Sequence, residues 1–175
     1  MNNWELNIKQ GEWFETHVAK EWLQKHRSEW WITDARNHVR LGGKGPRLQR
    51  NGEEITIPDF RLDNSETGES KWLDAKMKAK PFSLPQRQGE RFYSLDPKTY
   101  RDYLKLCKVF KHMQFEILLG CAYTNLLYIF DVRNTQPIIH FFQNQYVRHG
   151  NNETPCFSTT DMKVVGRWDS RQLPK

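Results

Sequence analysis

Between residues 11 and 26 the apolar positions of "GEWFETHVAKEWLQKH" recur at helical spacing. On a wheel of about 100° per residue with Phe14 at the origin, Val18, Trp22, Ala19 and Leu23 spread over one half-turn. The spacing predicts a helix over 11–26. Residues 29–36 then read as a strand, and 37–52 as a long basic turn. Strand-like runs at 53–63 and 71–80 are separated by the turn segment "NSETGES". Asp96-Pro97 opens a second helix, since aspartate caps and proline suits the first turn; it runs to about residue 110. Apolar strands follow at 115–121 and 126–132, and the tail from 138 holds a strand or two with irregular structure. Helix, three strands, helix, strands predicts an α/β fold of the α+β type, a mixed sheet flanked by helices.

Polar residues interrupt this pattern in two places. Glu15 falls at about 100° on the wheel, in the middle of the apolar arc, while Glu12 lies towards its edge. Glu12 is explained as a first-turn acid favoured by the helix dipole. A glutamate on a buried face is either paired, with an arginine for instance, or looks into a site. Trp13, at about 260°, is expected outside the core, where it would suit a subunit contact.

The second place is "IPDFRLDNSETGESKWLDAKMKAK", residues 57–80. Side chains alternate along a strand, so Asp59, Arg61 and Asp63 share one face, and Asp74, Lys76, Lys78 and Lys80 share another. If the two runs pair as a hairpin through the Gly68 region, Asp59 and Asp74 lie side by side. Two carboxylates that close repel, and one takes up a proton unless a cation intervenes. A divalent metal keeps both ionised, and hard oxygen ligands suit magnesium, or manganese, rather than zinc. Lys76 would point the same way as Asp74, placed to orient or deprotonate a water or to neutralise charge on a phosphate. Each piece alone has an ordinary reading: Pro58 can mark an edge strand, and an Asp-x-Lys can be a surface charge pair.

Composition narrows the class. At 175 residues the chain suits one domain, and seven Trp, ten Phe and six Tyr supply a core despite a mean hydropathy of -0.85. A net charge of +6 favours an acidic partner such as nucleic acid. Cys107, Cys121 and Cys156 are scattered, without a Cys-x-x-Cys pair, which argues for a reducing compartment and against a disulfide scaffold or zinc ribbon. With no secretory pattern at the N-terminus, a cytoplasmic location is expected.

On Pro58-Asp59 and Asp74-Ala75-Lys76 the chain resembles the PD-(D/E)xK nuclease superfamily. Gly11 to Glu15 is similar to the Gly-x-x-x-Glu that opens the first helix in Holliday-junction-resolvase-like members. "LDPKTYRDYLKLCKVFKHMQFEILLG" resembles the helix and strand that follow the lysine in phage and archaeal members. The resemblance covers about residues 9–132, leaving 133–175 as a C-terminal extension of a single nuclease domain. It implies a restriction-endonuclease-like α-β-β-β-α-β core. By the same likeness Asp59 and Asp74 would bind metal, Glu15 would assist through water, and Lys76 would be catalytic. Asp at 74 departs from the commoner Glu, and leaves one-metal and two-metal use both open.

Two basic regions are candidates for holding nucleic acid. From 36 to 50 come Arg36, Arg40, Lys44, Arg47 and Arg50 with no acid, a charge read as unrelieved. On the second helix Arg101, Lys105, Lys98 and Lys108 form a basic stripe opposite Tyr103, Leu106, Cys107 and Phe110. With Lys78 on the acidic strand, these would add sequence-independent affinity. The expected activity is magnesium-dependent DNA endonuclease, junction-resolving or of restriction or homing type, acting as a symmetric homodimer. The alternatives are a non-catalytic DNA-binding module on the same scaffold and an RNA-processing nuclease.

Overall fold

The computed structural model describes residues 3–38, 47–50, 52–142 and 153–175. Helix α1 (Asn3–Trp13) continues through a π-helical turn (Phe14–Ala19) into α2 (Lys20–His26). The first helix therefore starts earlier than expected, and Gly11 lies within it rather than opening it. Then come β1 (Trp31–Asp34), a 3-10 turn (Ala35–His38), β2 (Arg47–Arg50), β3 (Glu53–Thr56), β4 (Phe60–Asp63) and β5 (Ser70–Lys78). Strands β6 (Phe82–Leu84) and β7 (Arg87–Ser94) precede α3 (Pro97–Val109). The chain continues with β8 (Gln114–Cys121), β9 (Leu126–Asp131), β10 (Ile138–Phe141), β11 (Glu153–Ser158) and β12 (Lys163–Arg167).

The main sheet has the order β1-β4-β5-β8-β9-β12. Strands β5 and β8 are parallel and the other neighbouring pairs antiparallel, so the sheet is mixed. A parallel pair needs a long crossover, and β6, β7 and α3 supply it. Alternation along β5 and β8 then divides the core in two. Leu73, Ala75 and Leu118 meet Phe14, Ala19, Trp22 and Leu23 of the first helix. Trp72, Phe115, Ile117 and Leu119 meet Tyr103 and Leu106 of α3. Each helix thus covers one face of the sheet.

Helix α3 begins where its sequence signal placed it: Asp96 accepts a hydrogen bond from the Thr99 amide at 2.8 Å, and Pro97 occupies the first turn. The β4–β5 hairpin is set by Asn64, whose side chain accepts from the amides of Glu66 (2.9 Å) and Thr67 (3.0 Å). Gly68 supplies the left-handed residue of that turn, with φ 72.

Several expectations fail. The run 53–63 is two strands, because the chain turns at Ile57-Pro58-Asp59 from the β2–β3 ribbon into the main sheet. Residues 47–50, read as turn, pair with β3. Trp13 is half-buried against the first-helix core and stacks on His17 at 4.9 Å between ring centroids. The π turn has a longer period than the wheel assumes, so it rotates Trp13 inwards. Strands β6 and β7 join β10 and β11 in a second, four-stranded sheet that the sequence pattern did not suggest. From the C-terminal region, β12 completes an edge of the main sheet and Trp168 enters the core. No helix among the described residues is long and apolar enough to cross a membrane.

Candidate active site

The register of β4 and β5 pairs Phe60 with Leu73, so the next step sets Asp59 against Asp74. Here the two strands part. Pro58 has no amide hydrogen to continue the ladder, and the Asp59 carbonyl instead accepts from the Ala35 amide at 2.9 Å. The Asp59 side chain fills the gap, its Oδ2 accepting from the Ala75 amide at 3.0 Å. Both carboxylates are buried, Asp59 at 7% exposure and Asp74 at 1%.

Lys76 lies between them. Its Nζ is 2.9 Å from Asp74 Oδ1, 2.8 Å from Oδ2 and 4.0 Å from Asp59 Oδ2. The lysine side chain is 31% exposed, so the cluster opens to solvent at this point. Asp74 Oδ2 receives no well-aligned hydrogen bond, and the Lys76 ammonium at 2.8 Å is its ion-pair partner.

Glu15 comes from the π turn of the first helix. Its Oε2 accepts from Arg36 Nη1 at 3.1 Å, and Arg36 also binds Asp34 at 2.9 and 3.0 Å. The guanidinium lies over the Phe60 ring at 4.7 Å, and Lys20 reaches Asp34 at 2.8 Å. Glu15 is therefore both paired with an arginine and close to the acidic cluster. The first helix is seated by Phe14, whose ring lies against the Gly120 backbone: a Cβ there would come within 2.2 Å of it.

The charges act on one another. Burial, helped by the charge of Asp59, pushes the Glu15 carboxyl up to about 7, against the pull of Lys76 and Arg36. Burial likewise pushes Asp74 up to about 8; Lys76 opposes this and Asp59 adds to it. For Lys76 burial works against the charged form, yet Asp74, Asp59 and Glu15 outweigh it and raise the pKa. In this arrangement Lys76 is a firmly held ammonium, suited to donating hydrogen bonds and neutralising anions rather than to accepting a proton.

Among the described residues no group of three or more His, Cys, Asp or Glu surrounds a metal-sized space. Asp59 and Asp74 offer a two-carboxylate set, with Glu15 drawn towards Arg36. One or two carboxylates completed by water is a usual set for magnesium. Asp59 and Asp74, two buried carboxylates on adjoining strand positions, match that donor set in number and chemistry.

The basic residues fare unevenly. Arg36 is enclosed by Asp34 and Glu15, and Arg47 pairs with Glu54 at 3.0 Å, so neither charge is unrelieved. Lys105 pairs with Glu53, and Lys98 with Asp102 at 2.8 Å. Arg40 and Lys44 lie outside the described residues, as does the side chain of Arg50. Arg101 is exposed, and Lys78 is half-buried beyond Lys76 on β5. The pKa of Lys78 is lowered by burial and by the charge of Lys76.

Asp102 and Tyr103 of α3 carry no motif that would have pointed to them. Asp102 is buried and accepts from the Thr56 amide at 3.1 Å. Tyr103, expected as an apolar-face residue, is buried in the core that Trp72, Leu106 and Ile117 share.

No family model matches the chain, and no curated protein matches it significantly in sequence. Among solved structures it is similar to Hjc, a Holliday junction resolvase from Archaeoglobus fulgidus, an archaeal hyperthermophile. The TM-score is 0.47 and the identity 13%, over 86% of this chain and 89% of that one. The similarity is remote.

Proposed function

We propose that the protein is a magnesium-dependent endonuclease that hydrolyses DNA phosphodiester bonds, junction-resolving or of restriction or homing type. One observation carries the reading: two buried aspartates and a lysine meet where β4 and β5 part, at a point open to solvent. Asp59 and Asp74 would hold magnesium, or manganese in its place, with Glu15 contributing through water. A bound ion of this kind supplies a Lewis acid for a phosphate oxygen and lowers the pKa of a water. Lys76 would donate to the attacking water or to the phosphate and offset the negative charge that grows there. Arg101 and Lys78 are the candidates to bind flanking phosphates. A symmetric homodimer would supply the two sites that cutting both strands requires.

The test is incubation of the purified protein with plasmid, linear duplex, four-way junction and RNA, with magnesium or with EDTA. Asp59→Asn serves as control. The expected result is DNA cleavage that EDTA and Asp59→Asn abolish, while the variant still binds DNA. Cleavage of RNA alone would move the substrate class. DNA binding without cleavage in any metal would make the protein a non-catalytic module.

A further inference from the structure

Past Lys76, β5 leads to a basic rim of the main sheet. Lys78 and Lys80 follow Lys76 at two-residue steps; Lys80 is exposed, and neither has an ion-pair partner among the described residues. The β8–β9 turn lies beside them, and Arg167, exposed on β12, stands opposite Leu126 just after that turn. Residues 77–89, 117–130 and 162–168 contain no acid, and Asp169, next along, is taken up by Arg171 at 2.8 Å. At the tip of the turn stands Tyr123, 78% exposed and, among the described residues, a member of no apolar cluster. Its place is nonetheless fixed. The Tyr123 amide donates to the Ala79 carbonyl, and the Ala122 amide to the Lys78 carbonyl, each at 2.9 Å. Asn125 takes a left-handed φ of 55; its carbonyl accepts from the Trp168 amide at 3.0 Å and its side chain from the Ser170 amide at 3.2 Å. The turn is thus tied on both sides, and packing does not account for the ring it holds out.

We infer that Tyr123, with Lys78, Lys80 and Arg167, binds unpaired nucleotides of the DNA strand that continues from the bond to be cut. This rests on the nuclease reading and names the form of DNA it suits, a duplex with a single-stranded flank. The ring stacks on an unpaired base while the cations hold its phosphates, a combination that tolerates any sequence because every base has a π face. Within a duplex those faces are covered by neighbouring bases, so the ring discriminates paired from unpaired DNA. The reach is suitable: four residues of extended chain from Lys76 to Lys80 span about 13 Å, the length of about four stacked nucleotides. A ring already fixed by its turn loses little freedom on binding.

The test is fluorescence anisotropy in EDTA with two labelled DNAs, a blunt duplex and the same duplex extended by a single strand of about four nucleotides. The intact wild-type, Tyr123→Ala, Tyr123→Phe and Lys80→Gln chains are compared, with a thermal melt of each. The wild type is expected to prefer the extended duplex. Tyr123→Ala should weaken binding to it by about five- to 150-fold, with little effect on the blunt duplex and a nearly unchanged melting temperature. Tyr123→Phe keeps the ring and should bind as the wild type does. Lys80→Gln should lower the salt slope on the extended duplex by about 0.7. Equal wild-type affinity for the two DNAs, an unchanged Tyr123→Ala, or a Tyr123→Phe as weak as Tyr123→Ala would overturn this inference and leave the nuclease reading standing. Binding to neither DNA would overturn it as well, and cleavage on restoring magnesium then shows whether the nuclease reading survives.

Discussion

Gly120→Ala should destabilise the protein although it adds a single methyl group to a strand. Its new Cβ would stand 2.2, 2.6 and 3.0 Å from three atoms of the Phe14 ring. Carbon atoms pack at about 3.5–4.0 Å, so the nearest ring atom must withdraw by about 1.3 Å or more. The ring has little room to do so: Phe14 is fully buried, and Trp168 meets it edge-on at 5.2 Å between centroids. Overpacking of this kind costs about 1–3 kcal/mol. Against it stands the gain from replacing glycine in a strand, about 0.5–1 kcal/mol. The net expectation is a loss centred on about 1 kcal/mol and at most about 2.5 kcal/mol, read as a lower urea midpoint at unchanged slope. Phe14 precedes Glu15, so the shift also reaches the acidic cluster and should lower cleavage. Phe14→Leu in the Gly120→Ala background should recover part of the stability by vacating the clash. A midpoint equal to or above the wild type's would show that the ring moves freely, and that the seating of the first helix is looser than described.

Three other outcomes are expected. Glu15→Gln should lower cleavage, though less than Asp59→Asn. It should cost no more than about 1 kcal/mol of stability, because Arg36 keeps its hydrogen bonds to Asp34; a large fall in melting temperature with full activity would make Glu15 purely structural. The metal-free protein should lose stability as pH rises. Asp74 goes from an ordinary 3.8 to about 8 on folding and Glu15 from 4.5 to about 7, so the folded state binds more protons in between. That contribution is complete below about pH 4 and lost as pH climbs through 7 to 8; magnesium should oppose the loss, and urea titrations at pH 5, 6.5 and 8 that differ in neither condition would refute it. Replacing Arg101 and Lys78 together by neutral residues should weaken DNA binding at all sequences. It should also reduce the salt slope by about one for each phosphate left without its cation, and a change confined to particular sequences would contradict a phosphate role.

What the sequence made legible follows from how local each signal is. Asp96-Pro97 marks a helix start by chemistry within four residues, and α3 begins there. The facing of Asp59 and Asp74 needs only alternation and a hairpin turn, both local to residues 57–80. The ribbon of β2 and β3 was hidden because Arg47 and Gln49 look like loop residues until both meet Glu54 across the pair. Strand β7 escaped because Arg87-Gln88-Gly89-Glu90 is polar throughout, and its partners β6 and β11 lie on either side of a long stretch of chain. Asp102 was invisible for a related reason: its partner, the Thr56 amide, lies 46 positions away. The wheel found Glu15 but misplaced Trp13, since a fixed period cannot represent a π turn.

The acidic cluster is hard to account for as a stability device. Buried ion pairs seldom recover the cost of desolvation, and well-packed apolar residues of equal volume are often as stabilising or more so, by about 1–4 kcal/mol. An apolar filling was available at this place, for Trp72 and Ile117, on the sheet face that carries Asp74, are buried in an apolar core. Lys76 does not balance the group: with Arg36 shared with Asp34, three carboxyls, Glu15, Asp59 and Asp74, face it. Asp74 and Glu15 are pushed towards neutral pH, and release of their protons awaits further positive charge. A divalent cation supplies that charge and favours both ionised forms. A site that has three carboxyls to one unshared ammonium and opens to solvent at Lys76 has the features a hard metal ion and a phosphate would complete.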